Sequence, residues 1–163
     1  MVGLAAQVGA LLESHGLMLA TAESCTGGGV AQAITEVAGS SAWFERGFVT
    51  YSNLSKQQML GVREATLKEY GAVSEMTVRE MVAGALANSA AQVALAVSGI
   101  AGPDGGTVDK PVGTVWFAWG IKQGETYAQR LHINGDRAEV RAQAVRSALQ
   151  GVINLLNKLT ETA

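Results

Sequence analysis

The chain has 163 residues, a formal charge of −2, 48% hydrophobic residues and 16% charged ones. That length suits one compact domain able to bury roughly two-thirds of its unfolded surface, so neither a disulfide nor a metal staple is needed for folding. The charge balance excludes the basic footprint of a nucleic-acid binder. No apolar run approaches the ~18 residues of a membrane span. The single cysteine, Cys25, excludes a disulfide within the chain and favours a reducing compartment. The N-terminus starts as an amphipathic helix, without the basic start and long apolar stretch of a signal peptide, so a cytoplasmic protein is expected.

Leu4, Val8, Leu11 and Leu12 share one face of a helix expected over 3–15, with Gly16 as its stop. A buried strand, Leu17 to Ala22, runs into Glu23-Ser24-Cys25-Thr26-Gly27-Gly28-Gly29, and a helix over 27–38 follows, ended by Gly39. Phe48 to Tyr51 reads as a second strand. Next comes a helix from 52 to 60, capped by Ser52 or Asn53 and followed by Gly61. A short helix over 64–70 closes at Gly71, and Ser74 caps a longer one over 75–90. Val93 to Val97 is a third strand, too continuously apolar to be half exposed. It enters a glycine-rich loop, Ser98 to Gly106. Thr114–Trp119 and Tyr127–Ile133 form a hairpin through Lys122-Gln123-Gly124-Glu125. Asp136 and Glu139 make a capping box for a final helix over 137–158. Helices alternating with strands, with one hairpin, predict a three-layer α/β/α sandwich with a mixed, mostly parallel sheet. Hairpin strands and aromatics taken as exposed make self-association an expectation.

Ligand sites in open α/β sheets gather where a strand passes into a helix. The segment at Ser24 has that form, and helix-start N–H groups there can bind an anion or an oxyanion. The same pattern also fits a helix cap with close glycine packing. Cys25 reads either as a nucleophile beside Ser24 or as a small buried residue. His15 and His132 are the only histidines, and neither lies in a catalytic context, which weighs against Ser-His-Asp and Cys-His mechanisms. Lysine is the next candidate base. Lys56 qualifies if burial lowers its pKa. Otherwise it is a solvated lysine on a surface helix.

The blocks Thr21-Ala22-Glu23-Ser24-Cys25-Thr26-Gly27-Gly28, Tyr51-Ser52-Asn53 with Lys56, Leu60-Gly61-Val62 and Gly71-Ala72-Val73-Ser74 resemble the CinA carboxy-terminal domain family. So do Ser98-Gly99-Ile100-Ala101-Gly102-Pro103-Asp104-Gly105-Gly106, Lys110 to Val115, and Gly135-Asp136-Arg137 with Arg141. The blocks fall in family order between about residues 4 and 158. The resemblance implies hydrolysis of nicotinamide mononucleotide to nicotinate mononucleotide and ammonia, in pyridine-nucleotide salvage, with no metal, no cofactor and a homo-oligomeric state. It implies Ser24 as nucleophile, Lys56 as base and Tyr51 beside them. Cys25, Thr26, Gly27 and Gly28 are the expected oxyanion and substrate contacts. Ser98, Gly99, Ile100, Ala101 and Gly102 form a second expected binding wall. Arg137 and Arg141, one helical turn apart, are candidate phosphate ligands. A nucleotide-binding regulatory module without chemistry is the alternative reading.

Overall fold

The structure is a computed structural model describing residues 1–162. In chain order the elements are α1 (Val2–His15), β1 (Leu19–Glu23), α2 (Gly29–Thr35), a 3₁₀ turn (Ser40–Ala42), β2 (Phe44–Val49), α3 (Asn53–Leu60), α4 (Glu64–Tyr70), α5 (Glu75–Ala87), β3 (Val93–Gly99), β4 (Thr114–Ile121), β5 (Thr126–His132) and α6 (Arg137–Thr162). The sheet order is β2-β1-β3-β4-β5. β1 pairs parallel with β2 and β3, while β4 runs antiparallel to both β3 and β5. The sheet is therefore mixed, and β4 alone is reversed.

Alternation along the strands separates two apolar layers. Leu19, Leu95, Val97, Val115 and Phe117 share one layer with α1, α2 and α6. Ala20, Ala22, Ala94, Ala96 and Ala118 face Leu60, Val78, Met81 and Val82 in the other. Alanine on this second face lets α5 lie close to the sheet. A methyl group added at Gly84 of α5 would sit 1.8 Å from the Leu60 carbonyl oxygen at the end of α3. Backbone cannot yield there cheaply. Gly84→Ala is expected to cost about 1–3 kcal/mol in urea unfolding through overpacking, and to displace α3 together with the lysine it carries.

Several boundaries differ from the sequence expectation. β1 starts at Leu19 and reaches Glu23. β2 runs from Phe44 to Val49, whereas Phe48–Tyr51 was expected. As an edge strand it tolerates the polar run Glu45-Arg46-Gly47, which hides it from a hydrophobicity pattern. α2 begins at Gly29 because Gly27 and Gly28 adopt φ of 58° and 98°, left-handed values that end a chain's αR path and that glycine takes without steric cost. α5 stops at Ala87, where the Asn88 side chain donates to the Gly84 carbonyl. Ser98 and Gly99 belong to β3 rather than to the loop. The Asp136–Glu139 capping box forms in both directions, at 2.9 and 3.0 Å.

Trp43, Phe117 and Trp119 lie in the interior, and the last two stack with ring centroids 5.6 Å apart. Trp116 and Tyr127 of the hairpin are half-buried, while Phe117 and Trp119 are thus core residues. Burying them removes far more apolar area from water than any polar partner on the hairpin could.

Candidate active site

The parallel register sets the site. Glu23 of β1 lies opposite Val49 of β2 and Val97 of β3. The chain segments just beyond these three ends (Ser24, Thr50-Tyr51, Ser98-Gly99) therefore converge at one edge. From β1 the chain turns to β2 through α2 on one face, then crosses to β3 through α3–α5 on the other. This is the switch point where open sheets leave a crevice.

Ser24 sits in the crevice, its N–H donating to the Val97 carbonyl at 3.0 Å. The turn behind it is tightly held. Gly27 N–H donates to Ser24 O and Gly29 N–H to Thr26 O, at 3.0 and 2.9 Å. The Glu23 carboxylate, fully buried, accepts from the Thr26 hydroxyl at 2.5 Å, from Val30 N–H at 2.9 Å and from Ala31 N–H at 3.0 Å. The start of α2 is thus already capped by an anion from the protein itself, and its amides are not open to a ligand. Among the described residues, no acceptor pairs with the N–H of Thr26.

Lys56 is carried by α3, whose Ser52 cap and Ser55 form a reciprocal capping box. Its side chain is 1% exposed. Nζ lies 3.1 Å from Ser24 Oγ and 2.9 Å from the Thr50 carbonyl oxygen, donating to both in its charged form. Burial pushes its pKa below the ordinary lysine value, since desolvation penalises the ammonium; the nearby Cys25 pulls weakly the other way. Cys25 is also buried. Its thiol is pushed up to about 11, first by burial and further by the Glu23 carboxylate, against its own backbone N–H, Arg141 and Lys56. At neutral pH the thiol is protonated, so Cys25 is a poor nucleophile where it stands.

Tyr51 is 63% exposed at the mouth of the crevice. Its hydroxyl accepts from Arg137 Nη2 at 2.9 Å, while Arg137 Nη1 donates to Gly102 O at 2.8 Å. The lysine is held by the Thr50 carbonyl, and Tyr51 makes no hydrogen bond to it. The cleft, about 280 Å³, is lined by Ser24, Cys25, Tyr51, Asn53, Lys56, Ala72, Val73, Ser98, Gly99, Ile100, Ala101, Gly102, Asp104 and Arg137. That volume is near the lower limit of roughly 300–1,000 Å³ for small-ligand sites. Within the loop, Ile100 N–H is taken by Thr114 O and Gly99 pairs with Val115, so the free backbone of this wall begins at Ala101.

Thr26, Gly27, Gly28 and Arg141 are not in the cleft lining, and Thr26 adjoins it only through its peptide bond to Cys25, which does line it. Arg141 lies on the other side of the turn, beside Thr26, Gly29 and Val145. It donates to the carbonyls of Cys25 and Thr26 at 3.1 and 3.3 Å. The two arginines thus serve different segments, Arg137 the Gly102 loop and Tyr51, Arg141 the Cys25–Thr26 turn. A larger cavity of about 730 Å³ between β5 and α6 shares no lining residue with the Ser24 cleft. In the smaller one a serine hydroxyl meets a buried lysine amine.

Sequence reasoning missed Glu23 as the cap of α2, and missed Thr50, Asn53, Ala72, Val73 and Asp104. Ser24 and Thr26 offered ordinary caps in the same segment, which hid the capping role of Glu23. Nothing in a sequence marks a backbone carbonyl such as that of Thr50. The two histidines lie elsewhere, bound to the Leu11 and Val112 carbonyls.

Residues 2–156 match the CinA C-terminal domain. The chain is 59% identical over 147 residues to the nicotinamide-nucleotide amidohydrolase PncC of Escherichia coli (strain K12), covering 90% of this chain and 89% of that protein. It is 53% identical over 152 residues to the protein of the same name from Pseudomonas putida, covering 93% of this chain and 94% of that one. The crystal structure of the competence/damage inducible protein CihA from Agrobacterium tumefaciens superposes with a TM-score of 0.92 at 47% identity, over 96% of this chain and 94% of that chain. The match over residues 2–156, the identities and the shared fold show that the chain belongs to the CinA C-terminal domain family.

Proposed function

We propose that this protein is an amidohydrolase that converts nicotinamide mononucleotide and water into nicotinate mononucleotide and ammonia, with Ser24 as nucleophile and Lys56 as general base. The observation that carries the reading is a lysine buried to 1% exposure with its amine 3.1 Å from a serine hydroxyl inside a cleft. In the neutral amine, the Nζ lone pair faces the Ser24 hydroxyl along that same line. Ser24 Oγ attacks the carboxamide carbon as its proton passes to Nζ. The Thr26 N–H stabilises the oxyanion. Lys56 returns the proton to the leaving nitrogen, the C–N bond breaks and ammonia departs. Water then attacks the acyl-enzyme carbonyl, giving a proton to Lys56, and the C–O bond to Ser24 breaks as Lys56 returns that proton to Ser24 Oγ; the product acid leaves and loses its remaining proton to solvent. The names of the relatives support the substrate, and the apolar side chains of Ala72, Val73 and Ile100 suit a pyridine ring.

Arg137 suits the phosphate, since its guanidinium stands exposed at the mouth and can exchange Tyr51 and Gly102 O for a charge-assisted pair. Ammonia release from nicotinamide mononucleotide, the riboside and free nicotinamide tests the whole reading. Arg137→Ala is expected to raise KM for the mononucleotide by about 10- to 100-fold, in line with loss of a hydrogen bond to a charged group, and to leave riboside turnover unchanged. A wild-type protein that binds the mononucleotide and releases no ammonia would make this a binding module.

A further inference from the structure

The geometry points to Arg141 as a positioning residue: by holding the carbonyl of Cys25 on the outer side of the turn, it keeps the Thr26 N–H directed at the oxyanion. This rests on the amidohydrolase reading, and deepens it. The Cys25–Thr26 peptide is trans, as the only cis bond among the described residues is Gly102–Pro103. In a trans peptide the C=O and the following N–H point in opposite directions. Arg141 Nε donates to Cys25 O at 3.1 Å and Nη2 donates to Thr26 O at 3.3 Å. Arg141 and Thr26 both border the hollow between α2 and α6, whereas Cys25, on the other side of the shared peptide, lines the Ser24 cleft. Fixing the carbonyl towards Arg141 therefore turns the Thr26 N–H away from it, towards the Ser24 side.

The remaining bonds of the turn do not do this. Gly27 N–H holds the Ser24 carbonyl, Gly29 N–H holds the Thr26 carbonyl, and Glu23 holds the Thr26 hydroxyl. Among the described residues, the Cys25 carbonyl has Arg141 as its hydrogen-bond donor. Rotation of this one peptide would replace a donor with a carbonyl oxygen at the reacting centre. Removing one oxyanion donor costs about 10²–10³ in kcat. The neighbouring bonds restrain the turn, so a partial loss is expected.

The test is steady-state ammonia release from nicotinamide mononucleotide by wild type, Ser24→Ala, Arg141→Ala and Arg141→Lys, with a crystal structure of Arg141→Ala. Arg141→Ala should lose about 10- to 100-fold in kcat with KM within twofold, and Arg141→Lys should recover part of that loss through a single bond to Cys25 O. The crystal structure should show the Cys25 carbonyl turned from its wild-type direction. A rise in KM for the mononucleotide at unchanged kcat would instead make Arg141 a phosphate ligand and overturn the proposal. So would wild-type kcat, or a Cys25 carbonyl that keeps its direction. If wild type itself releases no ammonia, the amidohydrolase reading fails, and the direction of the carbonyl in the variant alone decides whether Arg141 holds the peptide.

Discussion

Replacing Ser24 with alanine is expected to abolish ammonia release, with kcat falling on the order of 10⁴–10⁶-fold, the range seen when an activated nucleophile is removed. The loss should appear in kcat. On the proposed reading the cleft walls and Arg137 hold the substrate, so binding of the mononucleotide by Ser24→Ala should stay within a few-fold of wild type in calorimetry. Folding should also persist. Lys56 Nζ keeps its bond to the Thr50 carbonyl, and the turn keeps the bonds made by Gly27, Gly29 and Glu23. Cys25 gives no bypass, since its thiol is held protonated. A Ser24→Ala protein retaining a tenth or more of wild-type turnover would remove the covalent mechanism and leave Lys56 activating water directly.

Lys56→Met is expected to cost about 10²–10⁴ in kcat, the contribution of a positioned general base. Lys56→Arg should be equally inactive, because a guanidinium stays protonated and cannot accept the hydroxyl proton. The pH profile carries the sharper signature. Burial lowers the lysine pKa, and only the neutral amine is competent. In wild type, kcat/KM should therefore rise with pH through a midpoint below the ordinary lysine value of about 10.4. The rising limb should disappear in Lys56→Met. Stability follows the same shift. Between the lowered folded pKa and about 10.4, the unfolded chain binds more protons than the folded one, so stability rises with pH across that window. Below it, the cost of burying the ammonium is fully present. Urea unfolding of wild type and Lys56→Met over this range should show wild type gaining on the variant as pH rises. A constant gap would mean that Lys56 does not change its charge in the folded protein.

The apolar helices and the central strands were readable from the chain, because residues buried on a fixed face must repeat with the period of the element that carries them. β3 is of this kind, while the Ser52 cap of α3 and the Asp136–Glu139 box of α6 were legible from local side-chain chemistry. β2 was half hidden. As an edge strand it pairs through its backbone on one side only, and Glu45, Arg46 and Gly47 carry no apolar alternation. The partner of Trp119 was equally hidden, since it depends on α6 crossing over the hairpin and accepting the indole N–H at Ala148 O.

By itself, the sequence determined the layered α/β design, the strand-to-helix junction at Ser24, the absence of a histidine suited to act as base, and the family resemblance. All are local or ordered along the chain, and local propensity or pattern suffices to specify them. Only the tertiary structure decided that Lys56 is buried against Ser24 and Thr50, that Glu23 occupies the start of α2, and that Arg137 holds the Gly102 loop while Arg141 holds the Cys25–Thr26 turn. Those contacts join residues as much as 116 positions apart. Sheet register and desolvation, which belong to the assembled core and to no single segment, set the distances and the pKa on which the chemistry depends.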